Sequence, residues 1–180
     1  MNQTAKIQEK SWHEKDGIIY FSVTSDGTTG EDWITRLENK GFPVADYPME
    51  VLRSSDFKPT KGLTTEVAVL KGMLFEDNDR IIKKIYAEGV LRNLSRPKAE
   101  VACLIREKFT DEDIADMGMC WIATMHEPIS SSDTDDVPAL AIAFRAINDR
   151  CRYENYGKSY SDRWNCDCGF AFAVSQTPTS

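Results

Sequence analysis

Cys166 and Cys168 stand one residue apart near the end of a 180-residue chain, and Cys151 precedes them in the same polar stretch. Thiols so spaced suit half of a tetrahedral metal site or a redox pair. A structural zinc site needs two further ligands, usually from a second paired motif. The chain holds only two histidines, His13 and His126, each isolated, which leaves Cys151 as a third ligand. A metal-binding or thiol-dependent enzyme built on Cys151, Cys166 and Cys168 is therefore one reading. Solvated thiols on an irregular segment, with no metal and no cofactor, are the plainer one. Asp133, Asp135 and Asp136 offer the oxygen ligands that calcium takes, but without EF-hand spacing or a turn glycine they read as a solvated acidic loop. His126-Glu127 follow an apolar run, where catalytic groups often stand, yet two polar residues opening a loop before Pro128 explain them as well. "SDGTTGED" puts glycines before a helix start, where an anion could sit. It matches neither nucleotide-binding glycine pattern, and an ordinary loop and cap suffice. No Ser-His-Asp or Cys-His set carries a sequence signature, so no catalytic residue is assigned.

The stretch containing the thiols is unusual as a whole. From Asn148 to Cys168 it reads NDRCRYENYGKSYSDRWNCDC, without Leu, Ile, Val, Ala, Met, Phe, Thr or Pro. Tyr153, Tyr156 and Tyr160 stand among Asn, Ser, Gly and Asp. Antibody loops use the same mixture, because Tyr gives rigid amphipathic contact area and small polar residues give adaptable hydrogen bonds. An Asn codon randomised at its two adenines yields Asn, Asp, Tyr, Ser, Gly, Cys, Arg, His and a few apolar residues, and never a stop. Fifteen of these 21 residues are Asn, Asp, Tyr, Ser, Cys or Gly, all of which such a codon can give.

This segment resembles the variable region of diversity-generating retroelement target proteins. "VTSDGTTGEDWI", "AVLKGMLF" and "ACLIREKF" ahead of such an ending extend the likeness. The resemblance implies a C-type-lectin-like fold whose C-terminal end carries exposed, diversified positions. It implies ligand binding through Phe144, Ala146, Asn148, Asp149, Cys151, Tyr153, Asn155, Tyr156, Ser159, Tyr160, Asp162, Asn165, Cys166, Asp167 and Cys168. Trp121, Trp164, Gly169, Phe170 and Phe172 would be the unvaried scaffold. The partner would be a protein or cell-surface ligand, and the mechanism display rather than catalysis. The chain departs from the formylglycine-generating-enzyme-like subgroup: it has no G-G-S-W element and closes on G-F-A-F rather than G-F-R.

Bulk properties agree with a folded body. An apolar fraction of 41% suits one globular domain over 1–180, with the variable segment at about 140–168. A net charge of −7 repels a phosphate backbone and speaks against nucleic-acid binding. No apolar run nears the roughly 18 residues of a membrane span, so no membrane insertion is expected. The N-terminal stretch lacks an apolar signal region, which makes the cytoplasm the default location. An odd number of irregularly spaced cysteines predicts mostly reduced thiols.

The expected class is α+β, with helices packed on a mixed or antiparallel sheet. Asp16-Gly17 predicts a tight hairpin turn into a strand over Ile18–Val23. Thr29 is placed to cap a helix through Trp33, Ile34 and Leu37, closed at Gly41. Pro43 and Pro48 bracket a turn or start a short helix through "MEVLR". "LTTEVAVLKGMLF" reads as a strand with a helical competitor. "DNDRIIKKIYAEGVLRNL" reads as a helix capped by Asn78 or Asp79, with a stripe of Ile81, Ile82, Ile85 and Gly89. "KAEVACLIREKF" turns Val101, Leu104, Ile105 and the stem of Lys108 inward. Thr110 and Asp113 form a capping box. "MCWIATM", "ALAIAF" and "GFAFAV" are the remaining strands, the last alternating Phe170, Phe172 and Val174, and "SQTPTS" is a frayed tail.

The codon argument makes a prediction about DNA. A near-copy of the codons for about residues 140–175 should lie just downstream, differing almost only where the copy has adenine, near a reverse-transcriptase gene. Sequencing the locus checks this, and absence of the repeat removes the basis of the resemblance.

Overall fold

The computed structural model describes residues 11–129, 142–145 and 163–175. Its first element follows directly from local chemistry. Asp16 and Gly17 both take positive φ, 54° and 77°, the mirror-image turn geometry whose twist suits two strands. They join β1 (His13–Lys15) to β2 (Ile18–Asp26) in an antiparallel hairpin. β2 then pairs with β3 (Lys61–Lys71). That resolves the strand-or-helix ambiguity of this stretch in favour of the strand. Val67, Ala68, Val69 and Leu70 are buried in succession, as happens only where both faces of a sheet are covered.

The C-terminal strand β7 (Cys168–Val174) lies antiparallel to β3 and parallel to β5 (Trp121–Thr124). β5 pairs antiparallel with β6 (Ile142–Arg145). The order is β1-β2-β3-β7-β5-β6, and a two-residue strand β4 (Leu94–Ser95) pairs with the last turns of β7. The fold is α+β with an open, mainly antiparallel sheet. β4 is too short to show any alternation in sequence. β7 is buried continuously from Cys168 to Phe172 rather than on one face only, because it is an interior strand of the sheet.

Helices cover both faces. On one, Ile19, Phe21, Val67, Val69 and Ala171 pack against α1 (Gly30–Asn39), α2 (Asp46–Arg53), α4 (Glu100–Lys108) and α5 (Asp111–Asp116). On the other, Ala68, Leu70, Ala123, Phe170 and Phe172 pack against α3 (Ile82–Leu91) and Trp164. Thr29 caps α1 by accepting from the Asp32 N–H, and Trp33, Ile34 and Leu37 are its buried residues along with Gly30. Thr110 and Asp113 form the reciprocal capping box of α5. Pro48 sits in the first turn of α2, where its missing N–H costs no helical bond. Among the described residues no helix is long and apolar enough to cross a membrane.

Two helices depart from the sequence expectation. α3 starts at Ile82 with no side-chain cap, since Ile81 is extended and bridges Arg163. Asn78 and Asp79, expected as caps, instead accept from Arg163 and Lys84. α4 is buried nearly all round, including Glu100 and Arg106, while Lys108 is exposed rather than stem-inward. The buried charges are compensated. Thr60 donates to Glu100 through its N–H at 2.9 Å and its hydroxyl at 2.5 Å. Arg106 donates to Asp111 at 2.8 Å and to the Phe109 carbonyl at 2.7 Å.

Gly89 sits within α3, where replacing Gly by Ala ordinarily gains up to about 1 kcal/mol. Here an added Cβ would lie 2.6 Å from the ring of Phe172, which is itself 2% exposed. Gly89→Ala should therefore lose stability by about 1–3 kcal/mol, the usual cost of overpacking. A fall in urea midpoint at unchanged slope checks it, and a rise would mean that the ring can move aside.

Candidate functional site

The polar segment leaves the sheet after β6 and rejoins it at β7. Trp121 of β5 is the Cα partner of Arg145 on one side and of Cys168 on the other. The two roots therefore lie in one row of the sheet, two strand spacings or roughly 10 Å apart. The chain between them departs from and returns to the same end of the sheet. That geometry gives the intervening sequence a base of fixed width.

Of the expected ligand-binding positions, Ala146, Asn148, Asp149, Cys151, Tyr153, Asn155, Tyr156, Ser159, Tyr160 and Asp162 lie outside the described residues, as do Asp133, Asp135 and Asp136. Phe144 belongs to β6, opposite Ile122. Asn165 and Cys166 are exposed in a turn and Asp167 is half-buried. Cys168, grouped in sequence with the display positions, is instead fully buried as the first residue of β7. The scaffold residues Trp164, Gly169, Phe170 and Phe172 are buried, and Trp121 is half-buried.

The C-terminal root is held from several directions. The Trp164 N–H donates to the Arg80 carbonyl at 2.8 Å, and Arg80 Nε donates back to the Trp164 carbonyl at 2.9 Å. Arg163 donates to Asn78 at 3.0 Å. The Trp164 ring meets Phe170 edge to face, with centroids 5.7 Å apart, and Phe75 meets Phe170 at the same distance. The Cys168 N–H donates to the Asn165 carbonyl at 3.2 Å, closing the turn, and the Cys120 N–H donates to the Asp167 carbonyl at 2.8 Å. A Cβ on Gly72 would lie 2.8–2.9 Å from the carbonyl oxygens of Asn165, Cys166 and Cys168, so only glycine lets β3's end approach this turn. Arg80 and Gly72 escaped the sequence reading. "DNDR" looked like a helix start, and a glycine after a strand carries no sign of what it will touch.

Cys166 and Cys168 point to different surroundings, and Cys151 lies outside the described residues. Among the described residues Cys103, Cys166 and Cys168 are free, in line with mostly reduced thiols, and Cys120 is disulfide-bonded. Cys166 faces solvent and Cys168 faces the core. Burial pushes the Cys168 thiol up to about 12, and Asp167 adds to the shift, so it is a thiol and not a thiolate at neutral pH. Burial also pushes the Cys103 thiol up. Among the described residues no three His, Cys, Asp or Glu side chains gather as a metal site.

The other chemical candidates are structural. His126 is 1% exposed and desolvation lowers its pKa. Its Nδ1 lies 2.6 Å from the Glu127 carbonyl, and its own carbonyl accepts from the Tyr86 hydroxyl at 2.9 Å. Glu127 pairs with Arg96, which stacks 4.0 Å over the Tyr86 ring. His13 is exposed and stacks on Tyr20. In "SDGTTGED" the loop supplies its own anion: Asp26 accepts from the Thr28 N–H and hydroxyl and pairs with Arg36. Those bonds, the one from Arg36 foremost, hold its carboxyl down at about 2. Gly30 answers a packing need, since its Cβ would strike the Leu52 carbonyl at 1.8 Å. No family model, curated protein or solved structure matches the chain.

The burial contrast within this root is testable. Trp164→Ala should cost about 3–5 kcal/mol and Cys168→Ser about 1–3 kcal/mol, because it buries a hydroxyl in an apolar site. Cys166→Ser should stay within about 0.5 kcal/mol of the parent. In the native protein iodoacetamide should label Cys166 and spare Cys103 and Cys168 until denaturant is added. Equal labelling of all three would show that the root of β7 opens freely.

Proposed function

We propose that the protein is a hypervariable ligand-binding protein, diversified by a retroelement, that displays residues 146–167 from a C-type-lectin-like domain. The observation that carries the reading is the seating of both ends of the polar segment on one row of the sheet, astride Trp121. A display loop needs a base whose position does not depend on the loop's sequence. The buried run of β7 and the bonds around Trp164 supply one. A C-type-lectin-like domain is supported by the α+β class, and by C-terminal strands that bracket a long polar stretch of sequence. The partner is a protein or cell-surface ligand, since Tyr-rich irregular surfaces suit protein interfaces. The disulfide at Cys120 favours work in an oxidising setting outside the cytosol. The mechanism is binding without catalysis, and no metal or cofactor enters it.

Changing Asn148, Tyr153, Asn155, Tyr156, Tyr160 and Asn165 together to Ser should leave the circular dichroism spectrum intact. It should also abolish affinity for a protein ligand isolated by selection against the parent, because a few aromatic anchors usually dominate an interface. Retained affinity would locate binding elsewhere. An unfolded variant would mean that the segment is core.

A further inference from the structure

We propose that Arg80, which lies outside the variable segment, is the positioning residue of the display surface. This rests on the display reading above. Arg80 is buried, although its type is rarely so without partners. Its planar fork is used at three points. Nε donates to the Trp164 carbonyl at 2.9 Å, Nη1 to the Phe75 carbonyl at 3.0 Å, and Nη2 to Asp77. The same residue's carbonyl accepts from the Trp164 N–H at 2.8 Å. The backbone bridge between Ile81 and Arg163 and the bond from Arg163 to Asn78 continue the attachment one residue further toward the segment. The turn over Asp77–Asp79 is thereby tied to the point where the segment re-enters the fold.

The arrangement has a specific consequence. Trp164 anchors the root by burial, which resists withdrawal. The two bonds between Arg80 and the Trp164 backbone, one accepting and one donating, hold the two peptide planes that flank the Trp164 Cα. Those planes set the heading of the chain at Arg163, where the bridge to Ile81 continues it. A ligand bound by the segment needs its contacts held in one geometry, and every contact that must be ordered on binding weakens the complex. Arg80 therefore contributes to affinity through pre-organisation, whatever residues the segment carries. Lys cannot replace it, because one ammonium cannot reach three acceptors arranged as a planar fork.

The test uses the full chain with Arg80→Lys and a defined probe. The probe is a single-domain antibody selected in vitro against the parent, whose binding is lost when Tyr153, Tyr156 and Tyr160 are all Ser. Amide exchange at Trp164 is expected to accelerate by about tenfold or more, while Val67, Val69 and Ala171 in the sheet keep their protection. Probe affinity should fall by about tenfold or more, chiefly through faster dissociation. Unchanged exchange at Trp164 overturns the role of Arg80. Faster exchange at Trp164 with unchanged affinity for several such probes overturns positioning. Failure to obtain any probe that depends on the three tyrosines counts against the display reading itself, while the exchange data still judge the latch. Should Arg80→Lys lose protection throughout the sheet, Asp77→Asn gives the second arm. It keeps the buried guanidinium and removes only its outer charged partner. Faster exchange confined to Trp164 in Asp77→Asn supports the proposal, and sheet-wide loss or no change there overturns it.

Discussion

β7 is the constraint on which the rest of the structure depends. It pairs with β3, β5 and β4, and its residues from Cys168 to Phe172 are buried. A strand buried on both faces must place every backbone group in a ladder and every side chain in a fitted space. A slip of one residue would exchange the two faces. Yet the chain reaches β7 from a segment with almost no apolar residues to guide it. The register has to be set locally, and the residues that set it are visible. A Cβ at position 169 would lie 2.3 Å from Met119 Sδ and 2.7 Å from Val69, so Gly169 has one place in the ladder. Five residues earlier Trp164 fills the opposite core against Phe170. Between them Cys120 and Asn165 bond the backbone of the turn.

This division explains how a polar segment and a tight core coexist in one chain. The apolar surface that drives folding comes from Ile19, Phe21, Val67, Val69 and the helices on one face, and from Ile82, Ile85, Phe170 and Phe172 on the other. Apart from Trp164 and Cys168, none of it comes from the described part of the polar stretch. Exchanging side chains at Asn165 or Cys166 changes little buried area, which is the physical condition for tolerating variation. The ordering of the root is borne by groups outside it: Arg80, Asn78, Gly72 and Cys120. The acidic surface belongs to the same scheme. Its ion pairs, such as Arg36 with Glu107 at 2.6 Å, tie α1 to α4 on the helical face.

Much of the fold was legible because local rules and tertiary structure agree. The Asp16-Gly17 turn, the Thr29 and Thr110 caps and the helical stripes of α1 and α3 follow from residue type and spacing. What was not legible has a common cause. Asn78 and Asp79 have the chemistry of helix caps, and a partner distant in sequence, Arg163, together with Lys84 claims them instead. Glu100 and Arg106 look like solvent-facing positions of α4 until Thr60 and Asp111 are brought against them. β4 owes its existence to the exposed flank of β7 beyond the end of β5. In each case a contact made by the folded chain, most of them distant in sequence, overrides the preference that residue type alone suggests.

The candidate site divides along the same line. Composition alone marks out a candidate stretch, since a 21-residue run without common apolar types is a global property of the sequence. It does not mark the inner boundary. Cys166 and Cys168 are the same residue type, two positions apart, and composition treats them alike. Strand geometry separates them: Cys168 is committed to the ladder by pairing with Trp121 and to the core by the pleat, and Cys166 precedes the ladder in an exposed turn. The exposed part of the polar stretch therefore ends before its composition does, at the residue where the backbone enters the sheet.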